Sequence, residues 1–467
     1  MDTSNVIDSN KPLAAHVAEF VATTRYSDIP PEMVHTAKKY ILDTIGVGLA
    51  GSRSEVAAIV RRYVEQLGCG AGAATVLGTA LRVLPRFAAL ANATAMHADD
   101  YDDTFHPSRF HPSAPVLAAI YAEAEQSGSS GKDLITAFSV GTEVSCKLSQ
   151  TIDREHYQRG HHMTSTCGVF GATAAVCNLR RLSRETATLA LGIAGSESAG
   201  LRENFGTMVN PLHSGRAAES ALVVASLAAL GLTSSPTILE GPRGYFMAGA
   251  GSYDADKLLG KLGNPWSYVS QGVAIKPFPC GNLQHPAMGK LQELVLTHDI
   301  KPDQVERIAV KSHRLMPLNL TYHRPTTALQ GKFSMEFGLA AILVLRRAGL
   351  AEFTDAIVNR PDVQQAISKI NYTVYSDAEA QAQQYGLLTT FLDIALTDGR
   401  QFAARVDAAK GSATIPMDEA EIAAKFRGCA EFAHWPPEHT EKLISLIFRL
   451  EEMDDLGPLS ELLRAGT

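Results

Sequence analysis

The period at which apolar residues recur changes twice along this chain, and that change limits the folds open to it. Up to about residue 263 the spacing is helical. Leu13, Val17, Phe20 and Val21 fall at i, i+4, i+7 and i+8, which is one helix face. A second helix is expected after Ser-Asp-Ile-Pro-Pro, because Pro31 suits a first helical turn, where its missing N–H costs nothing. Val34, Ala37, Tyr40, Ile41 and Ile45 form its apolar side. Residues 87–99, 114–125 and 216–230 are rich in Ala and Leu and read as buried helices. Gly168, Gly171 and Ala175 share a helix face small enough for another helix to come close. From Asn264-Pro265-Trp266 to about Val406, strands are expected among helices. Residues 305–311 alternate, and residues 370–375 are β-branched and aromatic. Residues 391–396 and 401–406 flank Thr397-Asp398-Gly399-Arg400, a hairpin signal. After Pro416 helices return, over 419–426 and 441–450.

The fold class that follows is mainly α. A large all-helical domain is built from both chain ends (1–265 plus 408–467), with a smaller α/β lid domain (266–407) inserted. A cleft between such domains is a natural small-molecule site. At roughly 100–200 residues per domain, 467 residues suit two or three domains. The net charge of −7, with no long basic run, speaks against nucleic acid but not against acidic small molecules. Cys69, Cys146, Cys167, Cys177, Cys280 and Cys429 are scattered, with no Cys-x-x-Cys, as in a reduced cytosolic protein. The polar N-terminus has no signal-peptide core, and the longest apolar run, 221–232, falls short of the ~20 residues that span a bilayer. A cytoplasmic enzyme without a membrane partner is expected. Gly68, Gly70 and Gly72 follow a helix (56–67) rather than a strand, so they read as a loop and not a dinucleotide fingerprint. The Gly195–Gly200 stretch has the wrong spacing for a nucleophile elbow.

Chemistry concentrates in five polar segments. The richest runs from His97 to Ser113, with four aspartates (Asp99, Asp100, Asp102 and Asp103), His97, His106, His111 and Arg109. It is either a solvated acidic loop before a helix or a site; the tyrosine, the phenylalanines and the paired His-Pro steps favour a site. Asp and His are also metal ligands, but no compact ligand spacing is present. The second segment, His156 to Thr166, places His161 and His162 before a helix start that Thr164 or Ser165 would cap, leaving N–H groups for an anion such as a carboxylate. The others are Asn204 to Arg216, Lys276 to His285 and Gly331 to Phe337.

In this order and at this spacing the five segments resemble the MmgE/PrpD family, over about residues 12–430. The specific matches are Asp-Tyr-Asp-Asp-Thr…His-Pro-Ser, Leu-His-Ser-Gly-Arg-Ala-Ala and Lys-Phe-Ser-Met. The family includes 2-methylcitrate dehydratase, cis-aconitate decarboxylase and iminodisuccinate epimerase. The resemblance implies a helical domain with an α/β lid, a homodimer, and no metal or organic cofactor. Its site residues map onto Asp100, Thr104, His111, His162 and His285. Tyr157 and Arg109 are similar to the epimerase branch, and Arg109 suits a bidentate carboxylate contact. Two positions depart from the pattern. Asn210 stands where decarboxylase and dehydratase members have lysine, and Phe337 where tyrosine is frequent. Neither moves a proton or carries a positive charge. Either His213, His106 or Lys276 then supplies the missing acid or charge, or the reaction differs.

The shared chemistry is proton removal next to a carboxylate of a small polycarboxylic acid. On this reading His111 or His162 is the base, and the other, or Tyr157, is the acid. Arg109, Thr104 and His285 hold carboxylates, and Asp100 orients a histidine. His106, Asn210, His213, Arg216 and Lys276 complete the expected binding set. Expulsion of a β-hydroxyl gives a dehydratase-type lyase, the first expectation from family frequency. Return of the proton to the other face gives an epimerase. A carboxylate-binding protein without turnover and a metal-dependent hydrolase are the competing classes.

Overall fold

Helices carry most of the chain in the computed structural model, which describes residues 11–67, 72–317 and 319–464. Cys69, Gly68 and Gly70 lie outside the described residues. Contacts divide the chain into two units. The first comprises 1–98, 102–274 and 419–467, and the second 99–101 and 275–418. The junctions therefore lie beyond the change of period at 264–266 and beyond 407. The three-residue segment Asp99–Tyr101 counts with the second unit although both flanks belong to the first.

The first unit is a pack of helices: α1 (Pro31–Gly51), α2 (Pro85–His97), α3 (Ser113–Ser127), α4 (Gly131–Thr151), α5 (Gly168–Leu179) and α6 (Val209–Ala229). Pro31 and Pro85 occupy first turns, where no N–H is required of them. Ser130 and Asp133 close a capping box at the start of α4. Gly128, in the left-handed conformation, ends α3. α6 lies on α2 and α5, α5 on α4, and α3 on α2 and α5. Nearly every residue of α3, α4 and α5 is buried, so burial runs all round these helices rather than along one stripe, and α4 takes in polar groups such as Glu143 and Lys147 as an ion pair. The small residues set the spacing. A Cβ on Gly171 would stand 2.6 Å from the Gly141 carbonyl oxygen, and one on Gly141 would stand 2.6 Å from the Ala175 Cβ. Gly168 instead faces Pro115.

The second unit holds a four-stranded sheet: β1 (Val305–Ser312), β2 (Ile370–Val374), β3 (Thr390–Leu396) and β4 (Gln401–Val406). Its order is β2-β1-β3-β4, with β1 and β2 parallel and the other pairs antiparallel. β3 and β4 are joined through Asp398-Gly399, with Ala395 opposite Gln401 and Gly399 at φ 89°. Helices His285–Thr297 and Met335–Leu345 pack with it over a core that includes Leu291, Ile308, Val310, Phe337, Leu392 and Ile394. Phe337 is completely buried there, edge-on to Phe353. No helix of the described residues is long and apolar enough to cross a membrane.

Candidate active site

The segment after α2 turns sharply. Asp100 and Arg109 both have positive φ, 52° and 57°, a conformation that aspartate tolerates better than most residues. Asp102 and Asp103 are completely buried. Thr104 pairs its backbone with Ala274, and Phe105 with Phe110, which closes the loop that carries His106 and the exposed Arg109. The two buried aspartates have different partners. Asp102 accepts from Nδ1 of His97, at 2.9 and 3.1 Å from its two oxygens. Asp103 takes the Ser113 hydroxyl at 2.6 Å and the Tyr268 hydroxyl at 2.9 Å, and so fastens the start of α3. Burial pushes the Asp103 carboxyl up to about 7, against the hydrogen bonds from Ser113 and Tyr268 that favour the charged form.

His111 donates from Nδ1 to the backbone carbonyl of Asp103, at 2.6 Å, and the same nitrogen stands 3.4 Å from Asp102. A carbonyl can only accept, so the neutral ring carries its lone pair on Nε2. The ring of His97 lies 4.7 Å from that of His111 and stacks on that of His162 at 5.7 Å. His162 and His213, the latter on α6, meet Nδ1 to Nδ1 at 3.0 Å. Four imidazoles thus form one connected group, with the Asp102 carboxylate against His97 and His111, all within the first unit. Burial, with His97, His213, His111 and Arg202 nearby, holds His162 well below the ordinary histidine range. Burial and His97 lower His213 too. Neutral imidazole is the form that can take a proton. His111, with 14% of its side chain exposed, is the member of the His97–His111 pair that solvent reaches.

Other expected residues fall in several places. Tyr157 lies with Arg202 at 3.6 Å from its ring centroid and Arg109 at 5.7 Å. Thr104 has a buried Oγ1, and Asn210, in the first turn of α6, a buried Oδ1, each without a hydrogen-bond partner. Arg216 is more than half exposed and pairs with Glu219, which also takes Arg86. It is tied to a buried carboxylate and is not a member of the histidine group. His106 is partly exposed. In the second unit, His285 is buried with Nε2 3.2 Å from the Cys280 carbonyl.

Two expectations need correcting. Asp100 was expected to orient a histidine, but its carboxylate takes buried Lys276 at 2.6 Å, and Asp102 holds the histidine instead. Lys276, a candidate for a spare charge, is thereby committed. Nor does Thr164 or Ser165 cap a helix. The short helix Met163–Thr166 starts at His162 without a side-chain cap. Thr164 accepts from the His111 N–H, and Ser165 donates to the His213 carbonyl. His97, Asp102 and His111 also offer ligand atoms within 4.8 Å of one another, a grouping that chain spacing did not reveal. Arg202, beside His162, was not singled out either; only its nearness to the Asn204–Arg216 segment, which includes Phe205, pointed there.

The chain matches the MmgE/PrpD N-terminal domain over residues 15–257 and the MmgE/PrpD C-terminal domain over 278–450. It belongs to the MmgE/PrpD family. Among relatives of this MmgE/PrpD chain is cis-aconitate decarboxylase of Homo sapiens, 28% identical with 97% of this chain and 95% of that one covered. The Mus musculus cis-aconitate decarboxylase is 29% identical over 92% and 89%, and that of Aspergillus terreus 25% identical over 99% and 98%.

Proposed function

We propose that this MmgE/PrpD chain is a cofactor-independent acid–base lyase that acts next to a carboxylate of a small polycarboxylic acid. The observation that supports this best is the connected group of His97, His111, His162 and His213, anchored on Asp102 through His97 and His111, with His162 and His213 biased to the neutral form. A proton next to a carboxylate is weakly acidic. Its removal needs a neutral base in reach and donors for the oxyanion that develops. His111 is the base through Nε2, with its ring orientation fixed by the Asp103 carbonyl. His162 or Tyr157 returns a proton, and Thr104 and Arg109 bind carboxylates. When the acid protonates a β-hydroxyl, water leaves and an alkene forms, which is dehydratase chemistry.

The names of the relatives favour a second reading, decarboxylation of cis-aconitate, in which the acid protonates the carbanion that CO2 leaves behind. The stacking of Arg202 and Arg109 on Tyr157 favours a third, epimerisation with Tyr157 as the opposite-face acid. A cytoplasmic homodimer belongs to the same proposal, and the buried free thiols of Cys146, Cys167, Cys177, Cys280 and Cys429 fit a reducing compartment.

The test is proton NMR in D2O with citrate, 2-methylcitrate, cis-aconitate, malate, tartrate and iminodisuccinate. Deuterium beside a carboxylate together with an alkene supports the dehydratase. Loss of CO2 from cis-aconitate supports the decarboxylase, and exchange without an alkene supports the epimerase. Binding without exchange or product on any of them rejects the acid–base reading for this class of acids.

A further inference from the structure

Residues 160–162 and 200–202 form a short antiparallel pair. The Arg202 N–H donates to the Gly160 carbonyl at 2.7 Å, the His162 N–H donates to the Gly200 carbonyl at 3.0 Å, and His161 lies opposite Leu201. Side chains alternate across such a pair, so His162 and Arg202 share the face opposite to that of His161 and Leu201. The residues directly across from them, Gly200 and Gly160, put no side chain on that face. A Cβ on Gly160 would meet nothing within 4 Å. The backbone thus sets a histidine and an arginine side by side and keeps the space opposite Arg202 open.

The guanidinium of Arg202 is held from several sides. Its Nη1 donates to the Tyr157 carbonyl at 2.9 Å, and its central carbon lies over the Tyr157 ring, 3.6 Å from the centroid. Phe205, 5.4 Å from the guanidinium carbon, meets His162 edge-on at 4.9 Å. The Nε–H is buried and has no hydrogen-bond partner. Among the described residues no carboxylate pairs with Arg202. A buried, unpaired N–H on a fixed cation is costly, and a planar anion that accepts from Nε and a terminal nitrogen removes that cost. The charge also reaches His162, whose ring it helps keep neutral.

We propose that Arg202 is the substrate-recognition residue of this site and binds a second carboxylate in bidentate fashion, so that the enzyme selects dicarboxylates over monocarboxylates. This rests on the acid–base reading for its choice of ligand, but its test does not require turnover. Binding of succinate and of its half-amide, succinamate, is measured by calorimetry on the full-length protein and on Arg202→Gln and Arg202→Lys. Wild type is expected to prefer succinate to succinamate by 10-fold or more. Arg202→Gln should lose about 100-fold for succinate while its affinity for succinamate changes less than threefold. Arg202→Lys keeps a charge but not the fork, and should recover only part of the loss. Circular dichroism separates a misfolded Gln variant, in which case the Lys variant alone decides: undiminished succinate binding there overturns the bidentate contact. Equal loss for both ligands, or a wild type without preference for the dicarboxylate, overturns the assignment of Arg202. Failure of turnover with the binding pattern intact overturns the lyase reading and leaves Arg202 in place.

Discussion

The carboxylate of Asp102 stands 2.9 Å from Nδ1 of His97, and both side chains are shut off from solvent. A buried carboxylate that receives an imidazole N–H fixes the ring's tautomer and steadies any positive charge the histidine group takes up during turnover. Asp102→Asn keeps the shape and removes the charge. It should lower kcat by about 10²–10³-fold, with a far-ultraviolet spectrum like that of wild type. A rate within threefold of wild type would limit Asp102 to packing.

His111→Ala removes the proposed base. The expected loss in kcat is about 10²–10⁴-fold, with KM changed little, since the ring is assigned to the proton rather than to binding. Solvent deuterium incorporation under single-turnover conditions checks this: exchange at the wild-type rate would return the base role to His162.

Asp103 gives a stability prediction with a definite sign. Its folded carboxyl titrates at about 7, above the ordinary value, because burial disfavours the charge. Between the two values the folded state holds a proton that the unfolded state has released. Stability from this group is therefore greatest at low pH and is lost as pH rises from about 4 to about 7, at up to ~1.4 kcal/mol per unit. Urea unfolding at pH 5 and pH 7 should show that Asp103→Asn is less sensitive to pH over this window than wild type. Identical pH dependence in the two proteins would contradict the shift.

His162 should remain neutral at pH 6, where an ordinary histidine is mostly charged, because burial, the other imidazoles and the Arg202 cation disfavour its protonation. Removing that cation in Arg202→Gln should move the midpoint upward. The His162 ring signal, assigned by its absence in His162→Gln, reports both effects in an NMR titration. A midpoint unchanged by the Arg202 substitution would separate the two side chains electrostatically.

Gly171→Ala improves helix propensity but places a methyl group 2.6 Å from the Gly141 carbonyl oxygen. The packing term should prevail, with a net loss of about 1–3 kcal/mol in denaturant unfolding. A stabilised variant would mean that α4 and α5 can move apart freely.

The parts that sequence made legible are those with local causes. Pro31 marks a helix start and Asp398-Gly399 a hairpin, because both act through their own dihedral angles. His111 and His162 stand out by residue type in a mostly apolar chain, and the structure brings them together, about His97. What stayed hidden depends on backbone turns and distant pairing. Whether Asp100 or Asp102 meets a histidine is decided by the left-handed turn at Asp100, which no count of aspartates reveals. The role of Arg202 arises only where residues 160–162 meet 200–202, forty positions on. The shift of the unit junction to 274/275 has a similar origin, since Ala274 is held by the backbone of Thr104 far upstream.

The contact between His162 and His213 joins two identical nitrogens, so a single hydrogen serves both. Whichever ring owns it presents a bare nitrogen at its far side, and the other ring presents N–H there. When that hydrogen passes across 3.0 Å while one outer nitrogen gains a proton and the other gives one up, both outer edges exchange roles. The two rings then work as a seesaw for tautomers: one end becomes an acceptor as the other becomes a donor, and no net charge has to settle in a pocket that repels it.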